Sequence, residues 1–249
     1  MNKLFPDMFD RPDTHRVVAG IGFCLFPFFL VPFLLRILVV DTPKEYEVIA
    51  WLDIVYHIFN AVAMLVIFGP YLKESFFNVR YNVKNFFATV GIAAGAMILA
   101  GYVVGRMIGF TENAWLAYSI FPLTEVELMT LSGDVLYFHP WVGLACMVLL
   151  TPLTISGMYY ATAFSPLATN RPWLAYIIVA VYLLVPRLLY SFSFWYLEEE
   201  LMLYLVQLPV HLIACWSYQK ADTIWAPICS LTLVNLFTGL GMILFFMTY

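Results

Sequence analysis

The residues of this sequence that could do acid–base chemistry lie in two small groups. Asp53 and His57 are four residues apart in one apolar stretch, so on a helix they would share a face and could pair. Asn60 follows in the same stretch, and a structural hydrogen bond explains this group better than a proton relay. The second group brings carboxylates close to an imidazole in the sequence: Glu125, Glu127, Asp134 and His139. Glu125, Glu127 and His139, together with His211, are the alternative acid–base residues of an unconventional hydrolase.

Neither group has the spacing of a known metal or cofactor motif. The residues around His139 do not match HExxH, and His211 has no second histidine or carboxylate at ligand spacing. The cysteines stand singly in apolar runs without a CxxC pair. The sequence also lacks GxSxG, a Walker-type loop and a dinucleotide fingerprint. It therefore predicts no metal ion and no cofactor.

The composition places these residues in a membrane protein. Of 249 residues, 63% are apolar and 11% are charged, whereas about a quarter are charged in an ordinary soluble domain. One soluble core of this size cannot hold so much apolar surface, so most of that surface must face lipid. A net charge of −4 argues against a basic surface for nucleic acid. We therefore expect membrane lipids, and no nucleic acid, among the partners.

Apolar stretches long enough to cross a bilayer, about twenty residues each, recur along the whole sequence. Because lipid offers the backbone no hydrogen bonds, they must be helices. The stretches lie at about 17–40, 49–72, 86–109, 140–162, 173–196, 201–217 and 225–247. Pro122 and two glutamates interrupt a further segment, 114–131, which predicts an interfacial or re-entrant helix. The predicted fold class is all-α, a polytopic helical bundle with about seven transmembrane helices in one domain, residues 1–249.

Glycines in the third stretch stand at four-residue spacing, which lets a neighbouring helix approach closely. Gly91 and Gly95 form one pair, and Gly101, Gly105 and Gly109 form a second set with the same spacing. We expect contacts within this chain along these glycines. A homodimer through Gly101, Gly105 and Gly109 is the less favoured alternative.

Two stretches in the second half of the sequence carry a family pattern. Thr151-Pro-Leu-Thr-Ile-Ser-Gly-Met-Tyr-Tyr-Ala161 lies where that family has Pro-x-x-Glu-Glu-x-x-x-Arg-Gly. Trp216 to Asn235, with its Ile-Trp-Ala-Pro-Ile run, is similar to a closing segment that ends in His-x-x-x-Asn. In these stretches the chain resembles the CPBP family, intramembrane glutamic proteases that include CAAX prenyl proteases and bacteriocin-processing proteins. The resemblance implies a bacterial protein with N-terminal spans over 17–109 and a CPBP-like core over 140–249.

The resemblance also implies where catalytic residues would lie, and this chain has replaced most of them. In the family a glutamate pair is thought to activate a water, assisted by histidines, with an asparagine at the oxyanion. Ile155 and Ser156 stand at the glutamate positions, and Tyr160 stands at the arginine position. Arg187 and Leu231 stand at the histidine positions, and only Asn235 matches. Since Ile, Ser and Leu cannot accept a proton near neutral pH, the resemblance implies a degenerate protease and no enzymatic activity.

We expect a bundle of this kind that lacks the catalytic residues to bind another membrane protein. The resemblance implies an internal cavity, which Tyr159 and Tyr160 would line with aromatic surface. With Arg187 and Asn235 they are the candidate binding residues. Arg187 at membrane depth needs an acidic or phosphate partner, which is Asp53, a lipid phosphate or another chain. An active peptidase with an unconventional site, and a transport subunit, stay as alternatives.

Orientation follows from the basic residues near the span ends, because cytoplasmic loops are rich in Lys and Arg. One side holds Lys3, Arg11, Arg16, Lys73, Arg80, Lys84, Arg171 and Lys220. The other side holds Arg36, Lys44 and Arg106. The sequence therefore predicts an integral cell-membrane protein with a cytoplasmic N-terminus and an external C-terminus.

Cysteine labelling tests this topology. On a Cys-less background, single cysteines replacing Glu199 and Tyr249 should react with an impermeant maleimide in intact cells. Cysteines replacing Asn2 and Lys220 should react only after the cells are opened. Labelling at position 220 in intact cells would contradict the predicted orientation or the number of spans.

Overall fold

The computed structural model describes residues 11–24, 45–107, 139–168, 170–194 and 197–248. Within these ranges the regular structure is helical, as the composition predicts, and no strand is found. The helices are α1 (Thr14–Phe23), α2 (Glu45–Tyr81), α3 (Val83–Met107), α4 (Pro140–Ala168), α5 (Pro172–Phe194), α6 (Leu197–Ala221) and α7 (Trp225–Thr248). The predicted segment 114–131 lies outside the described residues.

Three of these helices have the length and apolar composition to cross a membrane. They are Ile54–Tyr81 within α2, Val83–Val104 within α3, and all of α4. Apolar portions of α5 and α7, Pro172–Val185 and Trp225–Gly241, are shorter. The prediction of a helical membrane protein is confirmed in this coarser form.

Helix α4 is the centre of the bundle. It contacts α1, α2, α5, α6 and α7, and Met158, Tyr160 and Phe164 on it are completely buried. Its backbone alternates between α-helical and π-helical hydrogen bonding, with π-helical segments at Cys146–Leu150 and Ser156–Phe164. The wider π turns change the direction of the side chains that follow, and such segments are frequent at functional sites.

Small residues let α1 and α2 lie directly against α4. A Cβ built on Gly20 of α1 would stand 2.6 Å from Thr162 Oγ1 and 2.9 Å from the Phe68 ring. A Cβ on Gly157 of α4 would stand 2.6 Å from the sulfur of Met64. By contrast, Gly91 and Gly95 of α3 have open space in the same positions. Among the described residues, no helix therefore packs closely on these two glycines, and the contact predicted there stays a prediction.

The connection between α6 and α7 is fastened to the end of α2 by side-chain and backbone hydrogen bonds. Ser75 Oγ lies 2.8 Å from Thr223 Oγ1 and accepts the Ile224 N–H at 3.1 Å. The indole N–H of Trp225 donates to the Leu72 carbonyl at 2.8 Å. Asp222 turns the chain with a φ of 56°, a left-handed conformation that Asp tolerates better than most residues. These bonds fix which face of α2 points toward the protein.

The close approach at Gly20 yields a stability prediction. Gly20→Ala should lower the free energy of unfolding by about 1–3 kcal/mol, because the added methyl has no room beside Thr162 and Phe68. Gly22→Ala is the matched control, since a Cβ there meets nothing within 4 Å. Denaturant unfolding of the full chain in detergent measures both. Equal effects from the two variants would contradict the close packing of α1 on α4.

Candidate functional site

The two positions at which the CPBP pattern has its glutamates lie inside the bundle. Ile155 is 5% exposed and Ser156 is fully buried. Among the described residues, neither Ser156 Oγ nor the nearby Thr154 Oγ1 has a hydrogen-bond partner. The sequence of α4 holds no carboxylate from Trp141 to Thr162. The interior at this level is therefore apolar with a few neutral hydroxyls, and its own helix supplies no proton acceptor for a water.

One turn further along α4, Tyr160 is joined to His211 of α6. Its hydroxyl lies 2.7 Å from His211 Nδ1, and the ring of Tyr159 lies 5.2 Å from the imidazole. Tyr182 of α5 packs edge-on against Tyr159, with ring centres 5.5 Å apart. The structure therefore brings together two predicted binding residues and one predicted acid–base residue, which the sequence had assigned to different sites.

This cluster joins helices and is buried. Tyr160 is fully buried and His211 is 3% exposed, whereas a general base must reach the proton that it abstracts directly or through one water. A second polar contact lies two turns along α6, where the Tyr218 hydroxyl donates to Ser165 at 3.1 Å and bonds the Tyr71 hydroxyl. The pairs 160–211 and 165–218 run in the same direction, so α4 and α6 are parallel and joined at two levels.

Asn235, the matching position of the family pattern, is also used in helix packing. Its Nδ2 donates to the Met147 carbonyl at 2.8 Å, and Thr232 Oγ1 donates to the Val148 carbonyl at 3.1 Å. These two carbonyls lie five and four residues before Pro152, which has no N–H to donate to either of them. Two side chains of α7 therefore replace the hydrogen bond that this proline removes from α4.

Helix α2 also contains a proline, Pro70, which has no N–H to donate to the Val66 carbonyl four residues before it. The next carbonyl, that of Ile67, accepts a hydrogen bond from Arg16 Nη1 of α1 at 2.8 Å. Arg16 also lies 3.5 Å from the Asp13 carboxylate. Arg16, one of the basic residues from which the topology is predicted, therefore also has a structural role, which the sequence did not indicate.

The remaining candidates are placed only in part. His139 precedes α4 and is half-buried, with its ring 4.4 Å from that of Trp51. Glu125 and Glu127 lie outside the described residues, as do the side chains of Asp53 and Arg187. Where the structure describes the chain, no three His, Cys, Asp or Glu side chains are grouped as metal ligands. The roles given to Arg187 and to the alternative acid–base set therefore stay predictions.

The pairing of Asn235 with the turn at Pro152 predicts coupling between two mutations. Asn235→Ala should lower stability by about 1 kcal/mol, the size of an interhelical hydrogen bond in a membrane. In a Pro152→Ala background its cost should fall, because the new backbone N–H at position 152 can bond a freed carbonyl itself. A double-mutant cycle of unfolding free energies measures this coupling.

Thr238→Val is the control for this cycle. Thr238 lies on the same helix as Asn235, but its hydroxyl bonds the Val234 carbonyl of its own helix at 2.7 Å. Its effect should be the same with Pro or Ala at position 152. An Asn235→Ala effect that is likewise unchanged by Pro152→Ala would contradict the proposed compensation.

Comparison of the whole chain with protein-family models, with curated proteins and with solved structures yields no match. The CPBP resemblance therefore rests on the residues of the sequence alone. What the chain does has to follow from the contacts described above.

Proposed function

We propose that this chain is a catalytically degenerate CPBP-like membrane protein that binds and positions a partner protein in the membrane. In this proposal it is a seven-span bundle of the cell membrane, with a cytoplasmic N-terminus. The observation that carries the proposal is the bond from Asn235 Nδ2 to the Met147 carbonyl. An amide that holds a neighbouring helix is not directed at a reacting carbonyl, as oxyanion stabilisation requires.

The residues at the other positions of the CPBP pattern also support the proposed loss of peptidase activity. Ile155 and Leu231, at glutamate and histidine positions of the pattern, are 5% and 3% exposed. Tyr160, at the arginine position, holds His211. Side chains that fill a core and join helices give the bundle rigidity, but they provide neither a nucleophile nor a base.

An exposed apolar face on α2 supports binding of another membrane protein. Its large side chains recur at helical spacing and each is about half exposed or more: Trp51, Val55, Ile58, Phe59, Val62, Leu65 and Val66. Such a face packs equally well against lipid and against a partner helix. Tyr159, Tyr160 and Asn235 are buried, so they act in this proposal by holding the bundle in shape, while Arg187 is the candidate for direct contact.

Crosslinking in native membranes tests the proposal. A photoreactive residue replacing Val66, which is 75% exposed, should link to one discrete protein at near-stoichiometric yield. Leu99, 62% exposed on α3, is the control position and should give only lipid adducts. Mass spectrometry of the adducts identifies the linked protein. Lipid adducts alone at both positions would contradict partner binding through α2.

A second set of variants separates binding from catalysis. Glu125→Gln, Glu127→Gln, His139→Gln and His211→Asn are combined, and the amount and length of the captured partner are compared with the unmodified chain. We expect both to be unchanged. Asn235→Ala should also leave partner function nearly intact, since removal of a true oxyanion donor costs about a hundredfold in rate. A partner that is cleaved only by the unmodified chain would show an active peptidase instead.

A further inference from the structure

The end of α2 carries a face of alternating cations and aromatic rings. Lys73, Phe76, Phe77 and Arg80 follow the i, i+3, i+4, i+7 spacing that places residues on one side of a helix. All four are exposed, and the two phenyl rings are 43% and 49% exposed. We call these four residues the α2 end face.

The orientation of the α2 end face is fixed by the contacts on the other side of the helix. Leu72, Ser75 and Asn78 bind the connection between α6 and α7, through Trp225, Thr223 and the Asp222 carbonyl. Helix α2 therefore cannot rotate to bury the end face without breaking these hydrogen bonds. Phe76 packs edge-on against Trp225 at 5.7 Å, which holds that ring in place as well.

Arg80 is positioned by the rings beside it. Its guanidinium carbon lies 5.6 Å from the centre of Phe76 and 5.8 Å from the centre of Phe77, within the range of cation–π attraction. This contact holds the guanidinium beside the two rings, while Arg80 itself stays exposed. A guanidinium in this state suits the oxygens of a phosphate better than a flexible ammonium does.

The length of the helix sets the depth of this face. The apolar portion of α2, Ile54–Tyr81, has 28 residues and is roughly 42 Å long at about 1.5 Å per residue. The hydrocarbon layer is about 30 Å thick, and the bilayer with its headgroups is about 40–45 Å thick. If Ile54 lies at one hydrocarbon boundary, Lys73 lies at the opposite boundary and Arg80 lies among the headgroups. Lys84, which is also exposed, begins α3 in the same layer.

We propose that the α2 end face is a binding site for the phosphate of an anionic phospholipid, with Arg80 and Lys73 on the headgroup and Phe76 and Phe77 against its acyl chains. Charge complementarity and the depth of the rings favour a lipid over a soluble anion. The proposal depends on the chain crossing the bilayer and is independent of what partner it binds.

Native mass spectrometry of the delipidated full chain in detergent tests this site. Phosphatidylglycerol should bind more tightly than phosphatidylcholine with the same acyl chains. Each cation near a membrane surface contributes about a fivefold factor in affinity for anionic lipid. Arg80→Gln should therefore weaken phosphatidylglycerol binding about fivefold, and Lys73→Gln with Arg80→Gln about 25-fold. Binding of phosphatidylcholine should not change, and Arg80→Lys should lie between Arg80→Gln and the unmodified chain.

Arg171→Gln is the matched control, because Arg171 is an exposed cation outside the α2 end face. It should change phosphatidylglycerol binding less than twofold, because a lipid held at the α2 end face does not contact Arg171. Phosphatidylglycerol affinity that survives the double substitution, or that falls equally with Arg171→Gln, would overturn the proposal. Displacement of the lipid by excess inorganic phosphate would overturn it in favour of a soluble anion.

Discussion

A backbone carbonyl inside a bilayer needs a hydrogen-bond donor from the protein, because lipid supplies none. Prolines at positions 70 and 152 remove such donors from α2 and α4. Thr232 and Asn235 of α7 donate to the Val148 and Met147 carbonyls before Pro152, and Arg16 of α1 donates to the Ile67 carbonyl of α2. These bonds tie α1 to α2 and α7 to α4. The need to satisfy backbone groups thus helps to decide which helices are neighbours.

The same constraint governs the polar side chains. Tyr160 meets His211, Tyr218 meets Ser165 and Tyr71, and Ser75 meets Thr223. Each bond joins two elements that are distant in sequence, and each includes a hydroxyl group. Hydrogen-bonded hydroxyls cost less to bury than ionised carboxylates or ammonium groups, so they can hold helices together at membrane depth. The rigidity that they confer keeps exposed faces, such as the one at the end of α2, in a fixed orientation.

Much of the helical architecture was predictable from the sequence, but the contacts were not. Long apolar stretches identify α2, α3 and α4, since in lipid they must be helical. The predicted stretch 49–72 underestimates α2, which continues to Tyr81 because its polar end still makes helical bonds. Pro152 is visible in the sequence, yet the Asn235 side chain that donates to the Met147 carbonyl is 88 residues away from Met147. The pairing of Tyr160 with His211 likewise depends on the axial positions of two helices, and the glycine spacing in α3 did not show which face meets a neighbour.

A membrane-buried asparagine has to be hydrogen-bonded whether or not it does chemistry, because an unsatisfied amide in an apolar interior is costly. If the chain descends from a protease, as we propose, Asn235 needs no catalytic role to be kept, because it donates to the Met147 carbonyl before Pro152. Its presence therefore says little about activity. A motif residue in a membrane helix is evidence of function only if its hydrogen bonds and packing within the bundle do not already explain why it is there. Asn235 is then weak evidence for catalysis. Arg80 is stronger evidence for binding, because it is exposed and its contacts among the described residues are with Phe76 and Phe77 of its own helix end.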